Sequence, residues 1–205
     1  MGGVTPPYSF DAERELMSRI REGCGAEIDK VTGGDRKRSA LLAAITANES
    51  EGRRQAYRFV PELHDQLVAL LAGRETKVHG ITKAALEKFL AQAETDGERA
   101  ELLKRLAGMH GYTQIPGYYC VIWKLPIDAL TEKERHFELV QRRLDEISKE
   151  HELPPETDPV ELGRFWSALQ PNGKGRSLFL WRLQTRIQIY LDTAPSWEPD
   201  RSQGA

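Results

Sequence analysis

Cysteine is scarce in this chain: there are two, Cys24 and Cys120, in 205 residues. Their separation and neighbours match no metal-binding or Cys-x-x-Cys pattern, which leaves two free thiols or a single disulfide. The histidines at positions 64, 79, 110, 136 and 151 are scattered without a ligand spacing such as His-Glu-x-x-His. No metal and no cofactor are expected. Excess charge of either sign is also lacking, with a formal net charge of −2 and a pI near 6.2. That balance gives no general attraction to nucleic acid or to anionic membranes. No apolar run approaches the roughly 20 residues that span a bilayer, so stable membrane insertion is not expected. The opening Met-Gly-Gly-Val-Thr-Pro-Pro-Tyr lacks the basic start and apolar stretch of a signal peptide. It fits a cytoplasmic protein, export by another route, or a leader already removed.

What is present suffices for a core. Hydrophobic residues make up 40% and charged residues 29% of the chain, and the length fits one domain. The pattern predicts a flexible lead over 1–9, a helical domain over 10–192 and a tail over 193–205. Asp11 to Glu22 has a helical apolar side, followed by a loop at Gly23, Gly25 and Gly33-Gly34. Tyr57 and Phe59 alternate with Arg58, as in a short extended segment. Pro61 opens a helix with Leu63, Leu67 and Leu70 on one face. Further helices are predicted over 81–93, from Glu98 to Ala107, from Thr131 to Glu150 with Pro154-Pro155 ending it, after Pro159, and from Ser177 to Leu191. Pro171 to Gly175 reads as a turn. The stretch from His110 to Tyr119 has no helical period and is rich in glycine, aromatics and amides. The fold class is mainly α, with about eight helices and at most a small extended segment.

One helix stands apart. Asp35 can cap its start, and Leu42, Ile45 and Glu49 share a face at spacings of three and four. Gly52 lies where it would stop. Such a helix delivers Glu49 to the edge of a core, where desolvation and the negative helix end both favour the protonated form. A carboxylic acid kept protonated near neutral pH is a general acid. The same spacing also fits a first polar residue at a helix end.

Two motifs in order give that carboxylate a context. Ile45-Thr-Ala-Asn-Glu-Ser50 resembles the Glu-Ser motif of the lysozyme-like superfamily, which includes goose-type lysozymes and soluble lytic transglycosylases. Gly111-Tyr112-Thr113-Gln114-Ile115 is similar to the Gly-Leu-Met-Gln-Ile motif that follows it in those enzymes. A bacterial lysozyme-like group with Tyr-Arg-Phe-Glu-Pro and Gly-Tyr-Thr-Gln-Ile-Met-Gly lies nearer still, matched by Tyr57 to Pro61 and by Gly111 to Gly117. Trp166, Gly173-Lys174 and Tyr190 continue the resemblance, which covers about residues 36–192. The chain departs from the pattern at Glu51 (usually Gly), Val60 (usually acidic), Pro116 (usually Met), at the residues after Trp166, and at Leu191 after Tyr190.

The resemblance implies a lysozyme-like domain with a cleft, and cleavage of the β-1,4 bond between N-acetylmuramic acid and N-acetylglucosamine in peptidoglycan glycan strands. Such work is done in the periplasm or outside the cell. A glycosidic oxygen is a poor leaving group, so a protonated acid must sit beside it, and Glu49 fits that role. With Val60 in place of an acid, the nearby carboxylates are Glu51, Glu62 and Asp65. A single-carboxylate route, in which the sugar's own 6-hydroxyl closes an anhydro ring, needs none of them. Ser50, Tyr57, Tyr112, Thr113, Gln114, Tyr118 and Tyr190 are the candidate substrate-binding residues. Amides and hydroxyls suit N-acetyl and hydroxyl groups, and tyrosines offer flat apolar faces with polar tips. Each of these tyrosines fits a core or rim position as well. Arg53 and Arg54 could hold a carboxylate of the substrate or stand in solvent.

Overall fold

The computed structural model describes residues 9–168 and 176–193. The predicted turn at 171–175, the lead before Ser9 and the tail beyond Thr193 lie outside the described residues.

The first helix, α1 (Phe10–Thr32), starts where the Ser9 hydroxyl accepts the Ala12 N–H at 3.2 Å and ends at Gly33 in the left-handed conformation. The loop expected at Gly23 and Gly25 is instead helix. Leu16, Met17, Ile20, Cys24 and Ile28 form one uninterrupted buried face across both glycines. Each glycine costs about 1 kcal/mol in a helix, less than the ~1.5–3 kcal/mol that burial of a side chain such as Ile28 contributes.

Asp35 caps α2 (Arg36–Ser50) by accepting the N–H groups of Lys37 and Arg38 at 2.9 and 3.1 Å. The expected apolar stripe understates this helix, because every residue from Ser39 to Ala47 is buried. Its alanines let α1, α8 (Pro159–Ala168) and α9 (Arg176–Thr193) pack closely around it, so α2 runs through the middle of the helical core. Asn48 Nδ2 donates to the Phe179 carbonyl and Arg36 Nη2 to that of Leu191, so α2 and α9 are antiparallel.

The chain then leaves this core and builds a smaller lobe. It comprises β1 (Tyr57–Phe59), α3 (Pro61–Leu71), β2 (Lys77–Val78), β3 (Ile81–Thr82), α4 (Lys83–Leu90), α5 (Asp96–Leu106), β4 (Gly108–His110), β5 (Ile115–Pro116) and α6 (Tyr119–Trp123). The extended segment expected at Tyr57 and Phe59 is β1. It is the edge of a three-stranded antiparallel sheet, order β1-β4-β5, with Tyr57 opposite His110 and His110 opposite Ile115. Ile81 and Thr82, expected in a helix, pair with Val78 and Lys77 instead. Thr82 then caps α4 through its side chain, so the helix begins two residues late. Asp96-Gly97, expected as a break, opens α5. A reciprocal Thr95–Glu98 capping box supplies partners for the first-turn amides and outweighs the glycine.

A 3-10 turn (Ile127–Leu130) leads into α7 (Lys133–Glu150), which returns along α1. The described residues are mainly helical, with nine α-helices and two small sheets. None of these helices is long and apolar enough to cross a membrane. Cys24 and Cys120 are both buried thiols, pushed up by desolvation to about 11 and about 12.

Candidate functional site

Glu49 is half-buried in the last turn of α2. Two groups of buried side chains fix that turn from opposite sides. On one, Asn48 holds α9: besides its bond to Phe179, its side-chain oxygen accepts from Arg186. Arg186 also pairs with Glu13 of α1 at 2.7 Å, and both side chains are only 6–7% exposed. Glu13 lies on the apolar face of α1, one turn before Leu16 and Met17. A charge at a core position of a helical pattern is the signal by which this pair could have been found in the sequence.

On the other side, the Ser50 hydroxyl donates to the Tyr112 carbonyl at 2.6 Å and accepts the Gly52 N–H at 3.2 Å. This bond joins the end of α2 to the turn between β4 and β5, so the two sequence motifs meet. The turn, Gly111 to Gln114, is closed from within. The Gly111 N–H donates to the Ala56 carbonyl at 2.8 Å. Gln114 donates from Nε2 to the carbonyls of Ala56 and Gly111, both at 3.1 Å. Gly111 has a φ of 70°, and a Cβ there would fall 2.5 Å from the Leu130 carbonyl and 2.7 Å from the His136 ring. Glycine is required on both grounds.

Thr113 is fully buried, its N–H at 3.1 Å and its hydroxyl at 2.9 Å from His136 Nε2. His136 comes from α7 and is also fully buried, with Nδ1 2.7 Å from the Leu130 carbonyl. Burial pushes its imidazole down to about 4, against the opposing pull of that carbonyl. Tyr112 is buried against Phe137 and, edge-on, against His136. Its hydroxyl is shifted up, chiefly by desolvation. Thr113 and Gln114 thus direct side-chain hydrogens at protein groups and shape the turn.

The other candidates separate. Tyr57 on β1 is 49% exposed. Its ring covers Gly108, its hydroxyl donates to the Lys104 carbonyl at 3.1 Å, and it lines a groove of about 340 Å³ with Gln55, Glu101, Arg105, His110 and Thr131. Tyr118 is buried in a stack that runs His79, Tyr118, Tyr119, Trp123, with centroids 4.6–4.7 Å apart, and faces the β2–β3 hairpin.

Tyr190 is not brought to Glu49. It is buried beneath the Arg21 guanidinium, 4.1 Å from the ring centre, near the start of α2. Because α9 runs antiparallel to α2, Tyr190 lies roughly 16 Å along the axis from Phe179, the residue level with Asn48.

Val60 is 4% exposed, so its side chain belongs to the core and not to an open cleft. Glu51, Glu62 and Asp65 are exposed. Arg53 and Arg54 each donate from Nε to a backbone carbonyl, that of Ser50 at 2.9 Å and that of Thr131 at 2.6 Å. Arg53 thereby covers the carbonyl end of α2, the favoured place for a cation.

Comparison with protein-family models, with curated proteins and with solved structures gave no match for this chain. A functional reading therefore stands on the two motifs and the geometry that joins them.

Proposed function

We propose that the protein cleaves the β-1,4 bond between N-acetylmuramic acid and N-acetylglucosamine in peptidoglycan, with Glu49 as its single acid and base. One observation carries this reading: the Ser50 hydroxyl on the Tyr112 carbonyl brings the Glu-Ser and Gly-Tyr-Thr-Gln-Ile motifs into contact, as an acid and a facing wall require. The burial of Val60 and the exposure of Glu51, Glu62 and Asp65 favour the route without a second carboxylate. In that route Glu49 gives its proton to the departing glycosidic oxygen as the C1–O bond breaks. The ionised carboxylate then takes the proton of the 6-hydroxyl, whose oxygen bonds to C1 and closes the anhydro ring. Glu49 ends protonated, ready for the next bond.

The test is turnover of purified murein glycan strands by the wild type and by Glu49→Gln. Loss of a general acid lowers the rate on the order of 10²-fold or more. Products lighter by one water than hydrolysed fragments identify the anhydro route. Equal rates for the two proteins remove Glu49 from the mechanism.

A second reading is a scaffold that binds glycan, or a protein partner, without cleaving. It is favoured by the engagement of Thr113 and Gln114 with protein groups. Saturable oligosaccharide binding, with the saccharide intact after long incubation, decides for it.

A further inference from the structure

We propose that His136 is a positioning residue for the Glu49 site: a neutral imidazole with its hydrogen on Nδ1 locks the Tyr112–Gln114 turn on which the end of α2 is anchored. The catalytic part of this inference rests on the glycosidase reading. The lock itself does not.

Hydrogen-bond chemistry fixes the tautomer. The Leu130 carbonyl can only accept, so the Nδ1 that faces it at 2.7 Å carries the hydrogen. In a neutral ring Nε2 then has a lone pair and no hydrogen. It receives the Thr113 N–H at 3.1 Å and the Thr113 hydroxyl at 2.9 Å. One ring atom thus receives the two polar hydrogens of a residue with no access to water, and a buried donor left without an acceptor is costly. The adjoining residue, Tyr112, offers its carbonyl to Ser50, next to Glu49. The path from His136 to Ser50 is therefore two hydrogen bonds and one peptide unit, and Glu49 is the next residue along α2. Gly111 allows the approach, since any Cβ would collide with the ring.

The lock has a defined way to fail. The titratable groups facing the imidazole are Tyr112, edge-on with centroids 5.6 Å apart, and His110 of β4, itself shifted down by burial. From α7 its neighbour is Phe137, and from the 3-10 turn it meets the Leu130 carbonyl. No anion among these stabilises a second ring proton. A hydrogen placed on Nε2 points at the Thr113 N–H, donor against donor, and pushes the turn away from α2.

The experiment compares wild type, His136→Gln and His136→Phe. Imidazole nitrogen NMR reads the tautomer, amide exchange reads position 113, and murein turnover gives kcat and KM across pH. We expect the Nδ1–H tautomer in the wild type. His136→Phe keeps helical circular dichroism, exchanges position 113 at least ~10-fold faster and lowers kcat by about 10²-fold, because the turn and the end of α2 anchored on it lose their fixed separation. His136→Gln offers an acceptor that does not titrate in acid. It recovers slow exchange and most of kcat, and loses the part of the acid limb caused by the imidazole. Should His136→Phe fail to fold, His136→Leu, which also removes the acceptor and is closer in volume to the imidazole, takes its place with the same direction of change. An Nε2–H tautomer in the wild type, or unchanged exchange and kcat in the folded variant, overturns the proposal. If wild type cleaves no glycan, the glycosidase reading fails alone, since tautomer and exchange still decide the lock.

Discussion

The last turn of α2 is gripped on one side by charges and on the other by neutral groups. Toward α1 and α9 lie Glu13, Arg186 and Asn48. Toward the β4–β5 turn lie Ser50, Thr113 and His136. The difference follows from what each neighbour has to offer. In the middle of a helix, backbone N–H and C=O groups are already paired, so α1 and α9 can be tied to α2 chiefly through side chains that reach each other. A buried charge there needs an opposite charge. An irregular turn has unpaired backbone groups of its own, which Ser50, Gln114 and the neutral His136 satisfy without burying any charge. The two grips should therefore break differently, by different amounts and in response to different conditions.

Glu13→Ala is expected to have the largest effect. It leaves the buried Arg186 guanidinium without its carboxylate, and breaking a buried pair from one side costs about 3–5 kcal/mol. The double replacement Glu13→Leu with Arg186→Met removes both charges and should recover most of that loss, since apolar replacement of a whole pair is often close to neutral. Urea unfolding of the two variants makes the comparison. A loss below about 1 kcal/mol for Glu13→Ala would mean that the pair is not held dry.

Acid should act on the neutral grip. His136 is depressed from its ordinary 6.5 to about 4, so between those values the unfolded chain binds a proton that the native state refuses. Stability from this group is full above about pH 6.5, falls as pH drops, and has gone by about pH 4. A shift of that size corresponds to about 3 kcal/mol. His110 and His79, both lowered by burial, act in the same direction. The share belonging to His136 is the difference in slope between wild type and His136→Gln in urea titrations at pH 7 and pH 4.5. Parallel slopes would assign the acid sensitivity to the other histidines.

The charged grip was more legible in the sequence than the neutral one. Glu13 interrupts an apolar helical face, and Arg186 falls one turn after Leu183, so each stands out by periodicity. His136 stands out by nothing local. Leu130 lies six residues back on the same segment, but Thr113 is brought to it only by the passage of α7 along the β4–β5 turn. The same limit explains Tyr190. Helical spacing puts it on the face with Leu183 and Ile187, but says nothing about which end of α2 that face meets, and the antiparallel crossing carries it away from Glu49. The cap at Asp35, β1 and the helical fold class are set by local chemistry and could be read directly. At Gly23 and Gly25 local chemistry misled, because tertiary burial on α1 outweighs two weak helix formers.

Glu51 lies between the two grips and offers the smallest test. It closes α2 with a φ of 54° and ψ of 29°, the left-handed conformation that costs a non-glycine residue about 1–2 kcal/mol. A carboxylate just past the C-terminal end of a helix also faces the negative pole of the dipole, a further few tenths of a kcal/mol at an exposed position. Glu51→Gly removes both penalties. It adds back about 0.4–1 kcal/mol of unfolded-chain entropy. The net expectation is a gain of about 1 kcal/mol, or a rise of about 2–4 °C in Tm for a chain of this size. Murein turnover should persist, because Glu51 is exposed and the single-carboxylate route does not use it. A stabilised protein that no longer cleaves would make Glu51 the second acid, and the last turn of α2 would then carry both carboxylates of a two-acid mechanism.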